Sequence, residues 1–100
     1  MSGLDLALKF INDYAPLGLT PFALKKTTVF YDLAHTASPN GAIVELGSYL
    51  GFGTVPLWYG AQDGHKQAVI AVDAYKPMTG WIGEPYGPDN EETWRKNTIL

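Results

Sequence analysis

"VELGSYLGFGT", Val44 to Thr54, leaves a short apolar run and leads into a segment of helical character, carrying three glycines behind one carboxylate. Glycines bunched between two such segments mark a turn in which the backbone is laid bare. Upstream, "AIVEL" (Ala42 to Leu46) is β-branched and apolar without clean alternation, which predicts a strand covered on both faces. Downstream, Thr54 to about residue 62 reads as a helix, with Thr54 as its cap and Pro56 in the first turn, where a missing N–H costs nothing. "DGHK" then signals a turn at Asp63-Gly64, and "AVIAV" (Ala68 to Val72) repeats the character of the first strand. Strand, glycine turn, helix, turn and strand in this order predict a right-handed βαβ unit with parallel strands.

Working outward, Ser2 with Asp5 three places on forms a capping box, and Leu4, Leu8, Ile11 and Ala15 recur at helical spacing, so a helix is expected over 3–14. Thr20 followed by Pro21 opens a second helix whose stripe is Phe22, Lys26, Val29, Phe30 and Leu33, and "SPNG" ends it. Beyond the second strand, Ala74 to Pro88 is a loop rich in Gly, Pro and aromatics. "DNEETWRKNTIL" resumes helical character, with Asp89 as N-cap and Glu92 at the capping-box position. The organisation is one domain: an N-terminal helical segment, 1–40, and a first βαβ portion, 41–100. The fold class is α/β with an incomplete sheet.

Composition narrows the function. A chain of 100 residues, 46% hydrophobic and 17% charged, suits one globular domain. Seven Lys+Arg against ten Asp+Glu leave a net charge of -3, with no basic footprint for a phosphate backbone, so nucleic acid is not expected as a partner. Cysteine is absent, which removes disulfides and thiolate chemistry and fits a reducing compartment. No apolar run reaches the roughly 18 residues of a membrane span, and "MSGLDLALKFINDYA" interrupts with acids where a signal peptide stays apolar. A cytoplasmic chain without membrane attachment is the expectation.

In a βαβ unit the turn after the first strand lies at the carboxyl edge of the sheet, where ligands are received. A phosphate-cradling P-loop requires Gly-Lys-Ser/Thr, and this stretch has no lysine. A dinucleotide fingerprint needs glycine at first, third and sixth places; from Gly51 the sixth is Pro56, and from Gly47 the third is Tyr49 and the sixth Phe52. Both registers fail, which disfavours an NAD-type oxidoreductase. Two acids frame the turn: Glu45 near the end of the first strand, which needs hydrogen bonds or a cation if it faces inward, and Asp73 directly after the second, placed to accept from ribose hydroxyls.

Elsewhere, Tyr75, Trp81 and Tyr86 either cover a ligand or anchor the loop, while His35 and His65 read as packed or surface residues. Glu84, Asp89, Glu91 and Glu92 are explained by capping and the helix dipole rather than by a metal. Trp94, Ile99 and Leu100 read as one apolar helix face.

"VELGSYLGFGT" followed by "VIAVDAY" resembles motif I and the post-strand-two acid of class I S-adenosylmethionine-dependent methyltransferases. It is especially similar to the Glu-x-Gly-x-x-x-Gly branch that includes catechol-type O-methyltransferases and small methyltransferase-domain families. The resemblance covers about 41–75, and "GPDNEETWRKNTI" also resembles the segment before the third strand of those families. It implies a Rossmann-like methyltransferase fold, S-adenosylmethionine as cofactor, and contacts from Glu45, Gly47, Ser48, Tyr49, Gly51, Gly53, Thr54, Asp73, Ala74 and Tyr75. Glu45 would lie near the methionine amino group, Gly47 would let the methionine part pass, Tyr49 would stand at a position often aromatic, and Asp73 would hold the ribose. Gly53 departs from the serine common at its place. Charge agrees with such a ligand, which carries a sulfonium, an ammonium and a carboxylate but no phosphate.

The same resemblance implies a seven-stranded sheet, of which this sequence supplies the first two strands. The expectation is therefore the cofactor-binding N-terminal half of a longer enzyme, or a chain that completes its sheet as a homo-oligomer or with a partner chain covering the open edge. The acceptor, taken to be a small molecule, and the catalytic residues are not assigned. The alternative is a non-catalytic module that binds S-adenosylmethionine or its demethylated product.

Overall fold

The computed structural model describes residues 1–47, 50–73 and 90–99, without the side chains of 90 and 91. The elements run α1 (Gly3–Tyr14), α2 (Pro21–Thr36), β1 (Ile43–Leu46), α3 (Thr54–Asp63), β2 (Val69–Val72) and α4 (Asn90–Asn97). The helix starts are set by side chains. Ser2 Oγ accepts from the Asp5 N–H at 3.1 Å while the Asp5 carboxylate accepts from the Ser2 N–H at 3.2 Å, closing the capping box. Thr20 Oγ1 accepts from the Ala23 N–H at 3.1 Å, with Pro21 behind it in the first turn.

α1 buries Gly3, Ala7 and Ile11, so of the expected stripe Ile11 is buried while Leu4, Leu8 and Ala15 are half-buried. α2 departs further from its stripe. Phe22 is 76% exposed, Val29 and Leu33 are also exposed, and the buried positions are Thr27 and Ala34. The reason is size: Ala34 meets Ala61 and Leu57 of α3, and small side chains at the contact let two helices approach closely. Phe30, Ile43 and Val69 pack around that cluster.

β1 and β2 pair in parallel, in the register Ile43↔Val69, Val44↔Ile70, Glu45↔Ala71 and Leu46↔Val72. The coarse expectation of a mixed helix and strand fold with parallel strands holds, as a small two-stranded sheet compatible with an incomplete α/β fold. The strands are not covered on both faces, however. Ile43 and Glu45 turn toward the helices, whereas Val44 and Leu46 alternate to the opposite face and are 57% and 80% exposed. Ile70 and Val72 continue the same apolar surface, which is open among the described residues. The loop expected at 74–88 and the Asp89 cap lie outside the described residues. Among the described residues no helix is long and apolar enough to cross a membrane.

One carboxylate ties the helices together. Asp63, at the end of α3, accepts from the Gly3 N–H at 3.1 Å and from the Tyr31 hydroxyl of α2 at 2.5 Å. The hydrogen bond to Asp63, then partial burial and the Asp63 charge, push the Tyr31 hydroxyl up to about 12. Because an unfolded tyrosine titrates near 10, this contribution to stability is complete below about pH 10 and is lost as pH rises through about 12. Urea unfolding of the wild type and Tyr31→Phe across this range should show the wild type losing its advantage on the alkaline side. Curves that fall in parallel would refute the role of the hydroxyl.

Candidate functional site

The site is built on Glu45, the third residue of β1, whose side chain points to α3 and is 8% exposed. A carboxylate so buried must find donors. Thr54, the first residue of α3, donates from Oγ1 to Glu45 Oε1 at 2.5 Å, and the Trp94 indole of α4 donates to the same Thr54 Oγ1 at 3.0 Å. A threonine hydroxyl donates once while it accepts, so Thr54 joins strand, helix and α4 in one chain.

This corrects the reading of Thr54 as a helix cap. Gly53 holds the N-cap position and makes no side-chain cap bond. The Thr54 hydroxyl is drawn instead to the Glu45 carboxyl, whose burial demands a hydrogen-bond donor. The first turn is secured by backbone, with the Val55 N–H donating to Gly51 O at 3.0 Å and the Leu57 N–H to Gly53 O at 3.2 Å.

The glycines have two different causes. Gly47 at φ +84° and Gly51 at φ +93° occupy the left-handed region, so conformation selects them, and around Gly47 a Cβ would meet nothing within 4 Å among the described residues. Gly53 has an ordinary φ but stands against Glu45 Oε2 and the Phe30 ring, where a Cβ has no space. That close approach accounts for glycine at this position. α4 braces the turn: Asn97 Nδ2 donates to Leu50 O at 2.9 Å, and Gly51 faces Trp94 and Thr98.

Asp73 follows β2 directly. The Gly47 N–H donates to Val72 O at 2.8 Å, and with Leu46 paired to Val72 this sets Gly47 and Asp73 side by side at the carboxyl edge of the sheet. Glu45, Gly47, Gly51, Gly53 and Thr54 thus gather at one turn with Asp73 beside it, while Ser48, Tyr49, Ala74 and Tyr75 lie outside the described residues. Trp81, Glu84, Tyr86, Asp89 and Leu100 lie outside them too, as does the Glu91 side chain.

A cleft of about 520 Å³ opens beside this turn, between β1 and α2. Every residue from Ile43 to Gly47 lines it, so it follows the edge of the strand rather than one face. Across from the strand stand Phe30, Leu33 and Ala34 of α2 with its C-cap Ala37, and Phe52, Gly53 and Leu57 join them, with Lys26 at the end nearest the glycine turn. Neither histidine lines it; His35 stacks on Tyr31 with ring centroids 5.8 Å apart. Glu92 pairs with Lys96 across one helical turn at 3.3 Å on the exposed surface. Among the described residues no group of three or more metal-ligating side chains assembles. The apolar face expected of Trp94 and Ile99 does not form, since Trp94 turns its indole to Thr54 and Ile99 is exposed.

The sequence reading missed the Thr54 and Trp94 hydrogen bonds and the cleft. A hydroxyl on the first helical residue after a strand-end acid was the available signal for the first. Nothing local marks Trp94, which arrives from the far side of the loop. No protein-family model, curated protein or solved structure matches the chain.

Thr54→Val keeps the shape and deletes the shared hydroxyl, so it should cost about 1 to 3 kcal/mol of unfolding free energy, while Thr54→Ser should retain most of it. Chemical denaturation of both variants measures this, and a valine variant as stable as the wild type would remove Thr54 from the account.

Proposed function

We propose that the chain is the cofactor-binding N-terminal portion of an S-adenosylmethionine-dependent methyltransferase of Rossmann-like fold, cytoplasmic, acting on a small-molecule acceptor. The single observation that carries this reading is the juxtaposition of Gly47 and Asp73, joined through the Gly47 N–H to Val72 O hydrogen bond at 2.8 Å. The glycine turn and the strand-end acid are thereby neighbours at the carboxyl edge of parallel strands, the place where sheets of this kind receive nucleosides.

The residues suit the group. Glu45 Oε1 accepts from the Thr54 hydroxyl at 2.5 Å, and a carboxylate, with two oxygens, accepts from several donors at once, an ammonium among them. Among the described residues Gly47 has open space where a side chain would stand, which would let a ligand reach main chain there. Asp73 would accept from the two ribose hydroxyls by charge-assisted hydrogen bonds. When bound, S-adenosylmethionine supplies an activated methyl on a sulfonium, already a good leaving group. The contribution of this chain is to hold and orient, and positioning is the larger part of such catalysis. We also propose that a second copy or another chain closes over the outer sheet face formed by Val44, Leu46, Ile70 and Val72, since two strands with an open apolar face rarely stand alone.

Isothermal calorimetry with S-adenosylmethionine, S-adenosylhomocysteine and NAD tests the reading. Both adenosyl ligands should bind and NAD should not, and Asp73→Ala should weaken them by about 1.5 to 3 kcal/mol. Binding of NAD alone, or affinities untouched by Asp73→Ala, would contradict it.

A further inference from the structure

We infer that the cleft between α2 and β1 is a binding site for an apolar carboxylate, with its acid group held by Lys26 and its hydrocarbon body laid along the edge of β1. The cleft shares Glu45, Gly47 and Gly53 with the glycine turn, so the inference goes beyond the adenosyl reading and concerns the chain free of that ligand with the β1 edge uncovered. Its volume, about 520 Å³, lies in the range of sites that enclose a small molecule, and its walls follow the usual recipe of apolar surface with few polar groups. The floor is Ala34 and Ala37, small enough to leave the groove open, and the sides are Phe30, Leu33, Val44 and Leu46.

The polar groups are gathered at one end. Lys26 Nζ sits 5.4 Å from the centre of the Phe30 ring and makes no ion pair among the described residues. Glu45 lines the same end but is buried, whereas Lys26 is exposed, so the charge a ligand meets first on entering from solvent is positive. The far end, at Ala37 and Ile43, is apolar. An occupant of matching character carries an anion at the glycine-turn end and a hydrocarbon chain reaching the length of β1, which is about 13 Å for four residues. The ammonium would gain a charge-assisted hydrogen bond while its ring contact keeps it aimed. An added β-strand also fits an open edge, but a neutral backbone gives Lys26 no counter-charge, so charge favours the small acid.

The probe is decanoate, titrated calorimetrically into the cofactor-free chain alongside decan-1-ol, with Lys26→Ala and Leu33→Asp as variants; both positions are exposed, so folding is spared. Decanoate should bind one per chain and about tenfold more tightly than the alcohol, Lys26→Ala should erase that difference, and Leu33→Asp should weaken both ligands. Absence of decanoate binding, equal affinity for acid and alcohol, or a Lys26→Ala variant that keeps the preference would overturn the inference. Sedimentation of the same samples covers the rival occupant: self-association that Leu33→Asp disrupts and that decanoate leaves unchanged would assign the cleft to a second copy instead. Because no adenosyl ligand is present, failure here and failure of the methyltransferase reading are separate results.

Discussion

A carboxylate buried next to a glycine turn is the constraint from which the rest of this small structure follows. Glu45 is charged at neutral pH in water and loses most of that water when β1 packs on α3, a loss that must be met by donors. Thr54 meets part of it and thereby fixes where α3 begins relative to the strand. Trp94 then spends its only donor on Thr54, which draws α4 onto the turn, and Asn97 adds a second tie at Leu50. Gly53 has to be glycine because the carboxylate and the Phe30 ring stand where its side chain would go. A single buried carboxyl group thus links sequence choice, helix start and the docking of a segment 40 residues away from Thr54.

The same packing leaves the molecule one-sided. α3 is buried by α1, α2 and the inner sheet face, with Val55 and Ala61 fully enclosed. The outer face keeps four β-branched or leucine side chains in solvent, and the β1 edge borders an apolar cleft. Exposed apolar surface arranged on a sheet with an open edge marks a place where something binds. The cleft and the outer face share Val44 and Leu46 but make different demands: the first has a cation at one end and suits an acid, the second is uniformly apolar and suits protein.

How much of this was legible in the sequence depends on how local each cause is. Ser2 with Asp5, and Thr20 with Pro21, act within one helical turn, so both helix starts were readable with their caps. The strands and their parallel pairing followed from apolar runs on either side of a helix. The face that α2 buries was misread because apolarity points to Phe22 and Leu33, while the packing against α3 selects the small Ala34. Thr54 was misread as a cap because the competing acceptor, Glu45, is nine residues earlier and becomes a neighbour only once the turn has formed. Glu45, Gly47, Gly51 and Asp73 were found as a set, since strand ends and glycine spacing are both sequence properties. Lys26 and Phe30 were found only as part of a stripe, because a cleft wall has no local signature.

The central claim is that this turn, anchored by Glu45 and neighboured by Asp73, receives an adenosyl ligand. Backbone amide NMR of the isotopically labelled chain, titrated with S-adenosylhomocysteine, reads the turn directly, since Gly47, Gly51 and Gly53 each contribute an amide. The account predicts saturable shifts concentrated at these glycines and at Asp73, with the amides of α1 unmoved. Glycine and Asp73 amides that stay in place at saturating ligand, or shifts confined to surfaces away from the turn, would contradict it.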